Sequence, residues 1–97
     1  MEKEEEEKYL KELDKVVNKL RTTKFDLVAM KKYYAMGERD ISEVYDLEER
    51  IAILRGARNY LEMVLDGEGC TCTPNRLMDC YYCRMKEYYR EYKLWKS

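Results

Sequence analysis

An all-α fold is what this 97-residue sequence predicts: a long antiparallel helical hairpin, then a third helix, joined by a small loop that carries four cysteines. Three observations predict it. An apolar seam steps by four and three residues through the first third of the chain. Gly37, Gly67 and Gly69 fall where the apolar patterns stop. All four cysteines lie within the fourteen residues from Cys70 to Cys83. The composition agrees, since 40 % charged residues and a single proline suit surface-charged helices better than a β-sandwich. A chain of this length makes one domain, residues 1–97, with a core modest enough to gain from a staple.

The first helix is expected over residues 3–36. Tyr9, Leu13, Val16, Leu20, Thr23, Leu27, Met30 and Tyr34 step by 4, 3, 4, 3, 4, 3 and 4, which lays an apolar stripe along one face. The Glu-rich start suits the positive end of a helix dipole. Gly37 tolerates the left-handed turn that ends a helix. At ~1.5 Å per residue such a helix is about 50 Å long. Its weakest part is Thr22-Thr23, where a break is conceivable.

The second helix is expected over residues 40–66. Asp40 and Glu43 have the spacing of a capping box. Val44, Leu47, Ile51, Leu54, Leu61 and Leu65 carry the seam, with Arg58 in a slot that the pattern assigns to an apolar residue. Gly56 in mid-helix costs ~1 kcal/mol relative to alanine, so close approach of a neighbouring helix is its expected use. Asp66 to Gly69 end the helix, and the short first turn makes the two helices antiparallel neighbours. Residues 67–79 form the cysteine loop, and a third helix is expected over 79–96, capped by Thr73 or Asp79. Its apolar stripe is Met78, Tyr81, Met85, Tyr88, Tyr92 and Trp95.

The cysteines follow the pattern C-x-C-x7-C-x2-C. Four thiolates supply the soft tetrahedral set that zinc takes without histidine, so Cys70, Cys72, Cys80 and Cys83 are the expected ligands of a structural zinc ion. Cys80 and Cys83 point the same way from the first turn of a helix, whose dipole favours thiolates. The C-x2-C entering a helix resembles the treble-clef arrangement of zinc fingers. That resemblance covers these fourteen residues, with C-x-C in place of the usual first C-x2-C and a spacer of only seven. The other readings are two nested disulfides, such as Cys70–Cys83 with Cys72–Cys80, free thiols, or another metal, an iron–sulfur cluster included.

The chain contains no histidine, and its two serines, Ser42 and Ser97, sit in no nucleophile motif. No phosphate-cradling glycine loop occurs. A site closed by four cysteines is structural, so an enzyme is not expected. No apolar run reaches the ~18 residues of a membrane span. The Glu-rich start is no secretory signal, so a cytoplasmic setting, host cytoplasm if the protein is viral, is expected.

Two binding roles remain. The first is a protein-interaction module, such as a phage or viral inhibitor of a host protein, with a homodimer through the helix-one seam as one form of pairing. The second is nucleic-acid binding by the C-terminal segment. That segment carries Arg76, Arg84, Lys86, Arg90 and Lys93 beside five of the ten tyrosines and the single tryptophan. The net charge of −1 argues against indiscriminate nucleic-acid binding.

Overall fold

The seam over the first third of the chain folds as one uninterrupted helix, α1 (Lys3–Ala35). The computed structural model describes residues 2–38, 40–72 and 80–96. Two further helices follow, α2 (Ile41–Leu65) and α3 (Tyr81–Lys96). Among the described residues no helix is long and apolar enough to cross a membrane.

α1 runs straight through Thr22-Thr23. Both hydroxyls fold back onto the Lys19 carbonyl, at 3.0 and 2.7 Å, so these β-branched polar residues satisfy themselves inside the helix. Glu4, Glu5 and Glu6 occupy the first turn and Lys32 the last, each matched to its end of the dipole.

Both hairpin helices end in the same motif. Gly37 has φ +78° and Gly67 φ +81°. After α1, the Gly37 amide donates to the Tyr34 carbonyl and the Glu38 amide to the Tyr33 carbonyl; after α2, Gly67 and Glu68 do the same to Val64 and Met63. These are Schellman caps, which the left-handed glycine makes available without a Cβ clash. The start of α2 differs from the expected capping box. Asp40 stands at the N-cap position, but its side chain makes no cap bond. The Glu43 amide goes to the Asp40 carbonyl instead, at 3.2 Å, in a tight turn.

α1 and α2 are antiparallel. Lys31 meets Glu48 at 3.5 Å near the turn, and Thr23 and Leu54 share a groove further along. α3 runs back along α2, with Asn59 reaching Tyr81 and Ile53 lying beside Trp95. α2 is therefore the middle helix, packed on both others. The molecule measures 49 × 35 × 22 Å, its long axis close to the length of α1.

The core gathers Val16 and Leu20 from α1, Ile51, Ile53, Leu54, Ala57, Tyr60 and Leu61 from α2, and Met85, Tyr89 and Tyr92 from α3. Full burial of a side chain such as Leu54 or Leu61 contributes about 1.5–3 kcal/mol. Of the seam residues on α1, Val16, Leu20 and Thr23 are buried. The stripe expected on α3 is turned. Tyr89 is buried where Tyr81 is exposed, and Tyr88 lies half-buried across Gly56. The tyrosine pairs set this rotation, with Tyr60 packed between Tyr82 and Tyr89 in tilted contacts at centroid distances of 5.4 and 5.0 Å. Met78, Thr73 and Asp79 lie outside the described residues.

Candidate metal centre

The second Schellman cap turns the chain out of α2 and delivers Cys70 and Cys72 beside the start of α3. α3 begins at Tyr81, with Cys80 immediately before it; the Cys80 carbonyl accepts the first helical bond, from the Arg84 amide at 3.0 Å. Cys83 follows within the first turn. Two sulfurs therefore come from a loop and two from a helix N-terminus.

The four Sγ atoms all lie within 4.8 Å of one another. Cys70 and Cys83 are 3.3 Å apart, Cys72 and Cys83 3.6 Å, and Cys70 and Cys80 3.9 Å. Four sulfurs each ~2.3 Å from a common centre, placed tetrahedrally, are about 3.8 Å from one another. The cluster has that spacing, and all four cysteines are free. It could hold a metal ion.

Backbone amides complete the arrangement. Thr71 donates to the Cys80 sulfur at 3.4 Å, Cys72 to the Cys70 sulfur at 3.4 Å, and Cys80 to the Cys72 sulfur at 3.2 Å. An N–H aimed at sulfur favours the thiolate. Amides of Cys83 and Thr71 pull the Cys80 thiol down to about 5. Its neighbours move the other way. Contacts with the Cys70 and Cys72 sulfurs push Cys83 well above the ordinary thiol range. At Cys72 the Cys80 amide pulls down, but the sulfurs of Cys80 and Cys70 outweigh it and the net shift is upward. Without a cation, the thiolates of Cys83 and Cys72 are disfavoured, because each is placed against neighbouring sulfurs. A divalent ion removes that repulsion. Cys80 is buried, Cys83 half-buried, and Cys70 and Cys72 exposed, so the cluster is open on the loop side.

The amide donors to sulfur were not apparent from the cysteine spacing. In the short C-x-C the Cys72 amide turns back onto the Cys70 sulfur, a loop conformation that the residue pattern does not encode. Asn59 is a second residue that sequence reasoning passed over. Its amide donates to the Tyr81 hydroxyl at 3.0 Å and lies 3.8 Å from the Met85 sulfur, tying the start of α3 to α2 beside the cluster.

The basic residues of α3 are less concentrated. Arg84, Lys86, Arg90 and Lys93 are all exposed. Arg90 pairs with Glu87 at 3.2 Å, and the Lys93 ammonium lies 4.7 Å from the Tyr89 ring centroid. At about 100° per residue, Lys86, Arg90 and Lys93 share one side of α3 while Arg84 lies on another. Arg76 lies outside the described residues.

Comparison with protein-family models, with curated proteins and with solved structures returns no match. The cluster's own geometry therefore carries the functional argument.

Proposed function

We propose that this chain is a small non-enzymatic helical protein, stapled by one structural zinc ion, that works by docking on another protein. The observation that carries the reading is the convergence of four cysteine sulfurs, within 4.8 Å of one another, between the end of α2 and the start of α3. An all-thiolate tetrahedral set suits zinc, and four protein ligands leave no open position for a substrate. The ion's role in this reading is to fix how α3 lies on the hairpin. A rigid three-helix body then presents its free faces to a partner, in the way that small phage and viral inhibitors occupy a host protein's surface. Exposed apolar side chains support the docking role. Tyr33, Tyr34 and Met36 at the end of α1 and Tyr45 on α2 cluster at the hairpin tip, where α3 does not reach.

Native mass spectrometry under reducing conditions tests the metal. One zinc per chain is expected, and none in Cys80→Ser combined with Cys83→Ser. Protein that binds no zinc at micromolar supply would overturn the reading. For docking, capture of a partner by the zinc-loaded protein should be lost in Tyr33→Glu combined with Met36→Glu.

The alternative, nucleic-acid binding by α3, draws on Arg84 and Lys86, which stand exposed beside the cysteines. We prefer the protein partner because Arg90 and Lys93 are engaged within their own helix. Retention on DNA or RNA at about 50 mM salt, weakened by Arg84→Glu, would reverse that preference.

A further inference from the structure

We propose that two copies of this chain pair through the outer face of α1, antiparallel across a two-fold axis. This deepens the docking reading above by naming a second copy as one occupant and α1 as its surface. α1 is an edge helix that packs on α2 along one side. A second stripe runs along it, well round from the buried Val16, Leu20 and Thr23: Leu10, Val17, Arg21, Phe25, Val28 and Lys32, at the spacing of a helix-pairing face. Leu10, Phe25 and Val28 face solvent, 50 %, 70 % and 68 % exposed, while Val17 is half-buried.

The charge along α1 selects the occupant. Residues 2–14 carry seven carboxylates against three lysines, and residues 15–35 carry six cations against one carboxylate. A parallel pair would set like against like. An antiparallel pair sets the acidic half of each copy on the basic half of the other. The register that places Leu10 opposite Val28 of the second copy also brings Glu6 level with its Lys32, so an apolar pair and a charged pair agree on one alignment. Such a two-fold contact is self-complementary and closes at two copies. A stable interface takes ~800 Å² from each partner, about a ninth of this chain's 7383 Å². A helix of 33 residues along the 49 Å axis offers that on one face.

Sedimentation velocity on the zinc-loaded full chain, from about 10 μM to about 1 mM, tests the pairing. The expected mass is twice 11.8 kDa, falling toward the single-chain value as salt rises. Phe25→Glu with Val28→Glu should leave only the single-chain mass, and so should Leu10→Glu alone, each with unchanged helicity. Glu6→Lys should weaken self-pairing severalfold, as should Lys32→Glu. Mixing those two charge-reversed proteins should restore a dimer. A single-chain mass throughout, a dimer indifferent to the apolar variants, or a mixture that stays monomeric overturns the inference. Zinc content and capture of another protein are read separately and would stand or fall on their own.

Discussion

Gly56 shows how a single side chain's absence positions a helix. A Cβ added there would fall inside the van der Waals envelope of Tyr88, against its Cβ, Cγ and Cδ2. Tyr88 cannot swing clear, because its Cβ is fixed to the α3 backbone; α3 itself would have to move. Gly56→Ala gains at most ~1 kcal/mol of helix propensity and meets an overpacking cost of about 1–3 kcal/mol. The expected outcome is a melting temperature several degrees lower, measured by circular dichroism; an unchanged or higher value would show that α3 does not lie this close. Tyr60 makes a second residue-scale case. Burial, then its contact with Tyr82, raises its phenol well above the ordinary 10.0. The unfolded chain therefore releases that proton first as pH climbs. Tyr60 contributes stability that is fully present below pH 10 and is lost as pH rises toward the folded-state value. Melts taken at rising alkaline pH should show the wild type losing stability more steeply than Tyr60→Phe; parallel curves would mean that Tyr60 does not drive the loss.

At the scale of elements, the three helices differ in how plainly they could be read. α1 packs its backbone against α2 and reaches α3 only through side chains such as Lys19, whose ammonium lies over the Tyr92 and Trp95 rings, so its burial follows one seam, and Val16, Leu20 and Thr23 fall on it. The glycine stops at 37 and 67 were equally plain, since only a left-handed turn explains them. α2 was read on one face, because Val44, Ile51, Leu54 and Leu61 form a regular stripe toward α1. Ile53, Gly56, Ala57 and Tyr60 form a second stripe toward α3. A middle helix buries two sides, and a one-period search finds only the stronger. On α3 the helix was legible and its rotation was not, because tyrosines stand on several sides and the choice of Tyr89 over Tyr81 comes from the packing on Tyr60. The four cysteines were legible as a set, whereas the amides aimed at their sulfurs come from a loop conformation that no residue pattern encodes. The expected consequence concerns α3, a helix of 16 residues anchored by aromatic packing at one side and by the cysteine cluster at its start. Isolated helices of that length are marginal in water. Removing the metal with a chelator under reducing conditions should melt α3 before the hairpin, taking about a fifth of the helical signal. Loss of the whole signal in one step would instead make the ion essential to the hairpin as well.

For the whole molecule, a metal ion held by the cysteine cluster would couple folding to proton and metal activity. The set at the base of α3 favours a thiolate at Cys80 and disfavours one at Cys83 and Cys72. A zinc ion in the proposed site would bind the fully deprotonated set, so loading would release protons and acid would reverse it. The direction follows from linkage. The loaded folded state binds fewer protons than the unfolded chain, whose thiols titrate near 9.0, so the metal's contribution grows with pH up to that range and is lost as pH falls. Thermal melts of the zinc-loaded protein from about pH 8 down to about pH 4 should therefore show a steep fall in melting temperature. The same series with chelator should start lower and converge with the loaded curve at the acid end. The carboxylates do not reproduce this pattern, because they are present in both series and cancel in the difference. A gap between the curves that stays constant to the acid end would mean that the metal is held by groups other than these four sulfurs.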